Sequence, residues 1–387
     1  MSGRLPHFVS TEPFDPGRTQ AVGTMRSERF LRASQGQLVW WRFCRHRLAL
    51  FSLVFLGLAY ASILISEFLA PYPLAARHTD FIFMPPQPVH LFHEGSFIGP
   101  FTYRMVGTLD METLERSYAE ERTTPMPLSF FCRGEPYSFW GLVEGDLHLV
   151  CPPEGGTLFL MGTDRLGRDM LSRILYGARI SLTIGLVGVA LSFMLGLFFG
   201  GMAGYFGGRI DYWVQRVTEV LRSIPELPLW LALSAALPVT WSPLLVYFGI
   251  TLILALLDWP SLARAVRSKL LSLREEDFTA AAVTMGARPA RIIGRHLIPN
   301  FMSHLIASAS LSIPTMILAE TALSFLGLGL RPPITSWGVL LTEAQNIEAV
   351  ALYPWLLFPM LPVIATVLAF SFLGDGLRDA LDPHAQV

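Results

Sequence analysis

Apolar residues in this chain are gathered into long runs separated by charged stretches, rather than spread at the periods of amphipathic helices or strands. Six windows read as membrane crossings: Leu48–Leu69, Ile180–Gly201, Trp213–Leu237, Pro243–Leu262, Met302–Leu328 and Pro354–Leu373. A helix rises about 1.5 Å per residue, so about 20 apolar residues cross ~30 Å of hydrocarbon with all backbone groups bonded internally. The first window is too long, and too far from the N-terminus, for a cleaved signal peptide, and predicts a permanent signal anchor. The window from Trp213 is the most polar, carrying Arg216, Glu219, Arg222 and Glu226. The pattern predicts an all-α membrane protein with six transmembrane helices.

Arginine placement orients the bundle, because short basic loops stay on the cytoplasmic side. Arg42, Arg45 and Arg47 abut the first span, and Arg264, Arg267, Lys269, Arg274, Arg288, Arg291 and Arg295 fill the segment that six spans would place on the same side. Arg165, Arg168, Arg173 and Arg179 fall outside, but they end a long segment, where the rule has little force. The expectation is N-in, C-in. It divides the chain into a cytoplasmic tail (1–46), a first helix (47–70), an outer insert with the motif preceding the second helix (71–174), a five-helix core (175–378) containing a cytoplasmic loop (263–300), and a C-terminal tail (379–387).

Composition narrows the function. The 387 residues are 52% apolar and 15% charged, with a mean hydropathy of +0.46, whereas soluble domains carry about 25% charge. A net charge of -1 offers no footprint for nucleic acid. Lys269 is the single lysine and no G-x-x-x-x-G-K-[ST] loop occurs, so any ATP that drives the protein is bound by another chain. An embedded enzyme would need a reactive constellation. There is no H-E-x-x-H helix and no G-x-S-x-G elbow, and His93-Glu94 lacks a second histidine.

Within loop 263–300, Phe278, Ala281, Ala282 and Met285 stand at i, i+3, i+4 and i+7, one apolar helical face. Gly286 suits a left-handed cap and Pro289 the first turn of a following helix carrying Arg291 and Arg295. A small-residue apolar stripe in a cytoplasmic loop predicts a partner packed against it. The competing reading is an amphipathic helix on the membrane surface. Polar groups inside spans are costly, which singles out Asp258, His304 and Glu320; the first two lie near the inner ends of their spans and Glu320 deeper. Glycines at 185, 188, 196, 200, 201 and 204 permit close helix contact, within the bundle or with a second chain.

Four blocks carry a family resemblance: Gly162-Thr163-Asp164-Arg165-Leu166-Gly167-Arg168-Asp169 with the following Ser172-Arg173 and Tyr176–Leu182; Asp277-Phe278 through Gly286 to Asn300; Glu320–Gly329; and Asp375–Pro383. Their order resembles the C-type permease subunits of oligopeptide and dipeptide ATP-binding-cassette (ABC) importers, over the first span and from about Gly162 onward. The resemblance implies a type I ABC importer permease fold, N-in and C-in, with a periplasmic insert between helices 1 and 2 and location in the bacterial inner membrane. It implies a homologous second permease, two ATPase subunits holding ATP and Mg, a periplasmic substrate-binding protein and a peptide substrate, with no cofactor or metal in this chain. The family's Glu-Ala-Ala triplet has Ala280, Ala281 and Ala282 nearby and Gly286 four residues on, and its Ile-x-Leu-Pro ending is matched by His296, Ile298 and Pro299; the acidic residue is absent from its slot. Phe278, Ala281, Ala282, Met285, Gly286, Arg288 and Pro299 are accordingly expected to couple to the ATPase. Glu320 and Ser324 are expected on the translocation path or its gate, the alternative being a carboxylate satisfied by a neighbouring helix.

The insert between Pro71 and Leu160 is rich in aromatics and mixed charge, which predicts a small folded unit rather than a disordered loop. Cys132 and Cys151 both fall in it, while Cys44 falls inside; an oxidising periplasm favours a Cys132–Cys151 disulfide. Alkylation should then label both thiols only after reduction, and two thiols labelled in the native protein would exclude the bridge. The alternative function, an ATP-independent secondary transporter or channel, would more naturally show duplicated halves and several buried acids, and neither is evident.

Overall fold

The computed structural model describes residues 34–109, 111, 116–153, 155–331 and 333–381, so most of the predicted N-terminal tail and residues 382–387 lie outside the described residues. Among these, five helical stretches are long and apolar enough to cross a membrane: Arg47–Leu64, Met170–Phe206, Pro243–Arg274, Pro289–Phe325 and Pro354–Leu381. Helix α1 (Gln35–Arg45) opens on a capping box in which Ser34 and Gln37 each accept the other's backbone N–H. His46 separates it from α2 (Arg47–Leu64), whose first turn it caps by accepting from Ala49 N at 3.1 Å.

Helix α3 (Met170–Phe206) is the axis of the bundle and packs along α6 (Pro243–Arg274) and α8 (Met302–Phe325), while α10 (Met360–Leu381) packs against α2 and α8. The glycine pattern of α3 is absorbed inside this chain. A Cβ at Gly200 would stand 2.5 Å from the Ala263 carbonyl oxygen, and one at Gly204 would meet the backbone of Arg267 and the Leu270 side chain. The missing side chains let α3 and α6 approach backbone to backbone.

Helix α6 runs well past the predicted end at Leu262, because Ala263, Val266 and Leu270 continue its buried stripe while Arg264 and Lys269 stay on the open side. The predicted loop therefore begins as helix and turns only after Arg274.

The window from Trp213 does not form a single spanning helix. It folds as α4 (Gly208–Ser223) and α5 (Glu226–Ala235), broken at Ile224-Pro225. Proline cannot donate to the preceding turn and drives its predecessor out of the helical region; Ile224 is extended, at φ -94 and ψ 134. The Arg216–Glu219 pair, 2.7 Å apart, is exposed on α4.

The expectation of an all-α chain is corrected in the insert. Strands β1 (His90–His93), β2 (Ser96–Leu109) and β3 (Arg116–Pro127) form an antiparallel sheet in chain order, and β4 (Ser129–Phe139) pairs with β5 (Val143–Cys151). Alternating aromatic and polar residues suit half-exposed strands, and Glu94-Gly95, both at positive φ, make the β1–β2 turn. Cys132 and Cys151 are bonded across β4 and β5 with Cα atoms 6.1 Å apart. Tyr72, Met84, Met105 and Phe159 form a small core of the insert. Arg179 of α3 bonds Glu67 at 2.7 Å and lies 3.9 Å over the Trp140 ring, which seats the insert on the bundle.

Candidate functional site

At one end of the bundle, the turn Gly162–Asp169 is built around Asp164. Its Oδ1 accepts the backbone N–H groups of Leu166 and Arg168 at 2.8 and 2.9 Å, and its Oδ2 accepts Arg168 Nε at 2.6 Å and Arg173 Nη1. Gly167 sits at φ +67, and a Cβ there would collide with the His78 carbonyl, so no other residue closes this turn without strain. Asp169 caps α3 through Oδ2, which accepts Ser172 N at 2.7 Å and Ser172 Oγ at 2.6 Å.

Burial raises the Asp169 carboxyl from 3.8 to about 6, against the lowering effect of the Ser172 bonds. The folded chain thus holds a proton that the unfolded chain has released, and this group's contribution to stability falls as pH rises from about 4 to 6. Asp169→Asn and Asp169→Ala should both flatten that part of a melting profile taken between pH 4 and 7, and Asp169→Ala should lie about 1 kcal/mol below Asp169→Asn through the lost cap.

Deeper in the bundle, Glu320 of α8 is fully buried. Its oxygens accept hydroxyls from three elements: Ser181 of α3 at 3.3 Å, Ser324 of α8 at 2.7 Å, and Ser336 at 2.6 Å. Ser336 is the N-cap of α9 (Trp337–Leu341), a short helix that returns against α3 and α8. Each hydroxyl also accepts a backbone N–H: Trp337 to Ser181 at 3.1 Å, Leu330 to Ser324 at 3.4 Å, and Val339 to Ser336 at 3.2 Å. One carboxylate thereby fixes two spans and the returning segment. Gly327, at φ +79, closes α8 with paired cap bonds from its own N–H to Ser324 O and from Leu328 N to Leu323 O.

In this structure the Glu320 carboxylate faces hydroxyls, the arrangement of the alternative in which neighbouring elements satisfy it. Ser324 gives its hydroxyl to the same cluster, although the residue also borders a cavity at that end of the bundle. Ser336 and Glu343 escaped the sequence reading. Ser336 before Trp337-Gly338-Val339 carries a recognisable cap signal; Glu343 carries none, because its partners are distant in the chain.

At the opposite end lies α7 (Asp277–Thr284). Thr279 Oγ1 donates to Leu273 O at 2.8 Å and ties α7 to the end of α6. The predicted stripe divides. Ala282 is 3% exposed and packs with Val266, Leu270, Ile292 and Leu297, whereas Phe278, Ala281 and Met285 face outward, Met285 at 80% exposure. The expectation that Ala282 meets a partner is corrected: one side of an eight-residue helix must be used to hold it to its own chain. Gly286 at φ +75 ends the helix, with Gly286 N bonding Val283 O and Ala287 N bonding Ala282 O. Arg288 is exposed before, and Pro299 within, an irregular stretch through Ile292–Phe301. The residues expected to couple therefore share one end of the molecule, at the other end of the bundle from Asp164 and the Glu320 cluster.

These features define a multi-helix membrane protein with a beta insert at one end and a braced, partly apolar projection at the other. Residues 196–387 match the family described as binding-protein-dependent transport system inner membrane component, and residues 34–86 match the N-terminal TM domain of oligopeptide transport permease C. The chain is 39% identical to the dipeptide transport system permease protein of Bacillus subtilis, over 60% of this chain and 70% of the relative. It is 36% identical to the oligopeptide transport system permease protein of the same organism, over 64% and 77%, and 39% identical to the glutathione transport system permease protein of Pectobacterium atrosepticum, over 58% and 72%. A solved inward-facing form of the MetNI methionine ABC transporter aligns with 55% of this chain and 98% of its own, at 20% identity and a TM-score of 0.45. The chain belongs to the permease family of binding-protein-dependent ABC importers.

Proposed function

We propose that this chain is the permease subunit of an ATP-driven importer of peptides in the bacterial inner membrane. It lines the translocation path together with a homologous second permease, and a periplasmic binding protein delivers the substrate. Two cytoplasmic ATPase subunits hold ATP and Mg and drive the cycle, and the permease chain carries out no chemistry. Support for the peptide class comes from the dipeptide, oligopeptide and glutathione permeases among its relatives. Support for coupling comes from one observation above the others: α7 offers Phe278, Ala281 and Met285 outward while its other side is locked to α6, the form of a rigid handle.

In this reading the break at Pro225 divides a sixth crossing, so that α4 and α5 complete an N-in, C-in topology. Their 26 helical residues would span about 39 Å end to end, enough for ~30 Å of hydrocarbon. A single cysteine at Met285 should crosslink to a copurifying ATPase subunit in inner-membrane vesicles, with yield changing on addition of ATP and Mg. Labelling of the same cysteine by an impermeant reagent from the periplasmic face would overturn the coupling and the topology together. Peptide uptake by this chain reconstituted alone would favour an ATP-independent transporter.

A further inference from the structure

At the end of the bundle away from α7, loops before α3, after α2 and after α8 enclose a cavity of about 670 Å³. Its volume lies within the range of about 300–1,000 Å³ typical of sites for small molecules. Apolar side chains such as Leu330 and Ile334 form part of the wall, and five guanidinium groups converge on it: Arg77, Arg165, Arg168, Arg173 and Arg331.

The local carboxylates do not balance this charge. Asp164 holds Arg168 and Arg173, and Glu343 lies 3.7 Å from Arg165, 3.7 Å from Arg168 and 3.8 Å from Arg173. Arg77 and Arg331 have no hydrogen bond or ion pair among the described residues, so three positive charges remain uncompensated around one concavity. Planar guanidinium groups bind carboxylates with paired, charge-assisted hydrogen bonds.

We propose that this cavity receives the carboxylate of a small ligand, with the exposed Arg77 and Arg331 supplying the free charge. Resting on the function proposed above, that ligand is a peptide and the group is its C-terminal carboxylate. A carboxylate of the docking binding protein would suit the charge as well, but a concavity of this volume with partly apolar walls fits a short peptide better than a protein surface. The cavity would orient an arriving peptide carboxyl end first, beside the Glu320 cluster with which it shares Ser324.

The test uses the complete transporter in lipid nanodiscs and two probes, trialanine with a free C-terminus and its C-terminal amide, with binding measured directly on the permease pair. Wild type should bind the acid at least tenfold more tightly than the amide. The double variant Arg77→Gln/Arg331→Gln, at two exposed and unpaired positions, should lose that preference without weakening the amide. Equal affinity for the two probes in wild type, no binding of either, or a preference that survives in the double variant would each overturn the proposal. A variant that loses association with the binding protein while keeping the acid preference would assign the charge to protein docking, and would overturn it too. Trialanine uptake by the wild-type transporter separates the two readings: uptake without an acid preference removes this site and leaves the importer intact, and absence of any peptide uptake removes the importer reading itself.

Discussion

Glu320→Ala is expected to lower the stability of the chain by about 3–5 kcal/mol, because three buried hydroxyls lose their common acceptor at about 1–3 kcal/mol each before partial re-pairing. The hydroxyls of Ser181, Ser324 and Ser336 come from α3, α8 and the cap of α9, so the loss falls on the contact among all three. Glu320→Gln keeps the volume and one acceptor oxygen and should retain most of the melting temperature in detergent. The comparison separates structure from transport. If Glu320→Ala melts like wild type while uptake disappears, the carboxylate serves the path and the structural reading fails.

The second large effect belongs to Gly286. Nothing lies within 4 Å of the position a Cβ would take, so a side chain there meets no steric obstacle. The difficulty is the backbone: at φ +75 an L-residue pays about 1–2 kcal/mol, and a β-branched one is a genuine outlier. Gly286→Val should therefore leave the bundle folded but shift the equilibrium between the native α7 tip and its alternatives about tenfold against the native form, at 1.4 kcal/mol for each factor of ten. Peptide uptake into proteoliposomes should fall by a comparable factor while the associated ATPase continues to hydrolyse ATP. Normal uptake per ATP in this variant would show that the shape of the tip does not matter to coupling. Met285→Ser, which leaves the backbone alone and removes the exposed apolar tip, should reproduce the defect if contact rather than turn geometry is what the partner needs.

Several elements were legible in advance because their causes are local. Length and apolarity suffice to mark a span, and five of the six windows coincide with long helices. Gly286 as a helix stop and Pro289 as a helix start are read from a few adjacent residues. The window from Trp213 misled because hydropathy averages over the Pro225 break, where backbone geometry overrides the apolar composition. The strands of the insert were missed because their residues alternate over segments joined by tight turns in a stretch the apolar runs do not reach.

The chain by itself determined that it must live in lipid, roughly where its spans lie, and which small residues permit close approach, since each follows from the chemistry of neighbouring positions. Only the tertiary structure decided what those positions meet. It turned Ala282 inward and Met285 outward at one short helix, gave Glu320 three hydroxyls from separate elements, and gathered four loop arginines and Arg173 of α3 around a cavity. Contacts between residues 139 or more positions apart, such as Ser181 with Glu320, are set by how helices pack. No local spacing encodes them, because the partners become neighbours only once the bundle has closed.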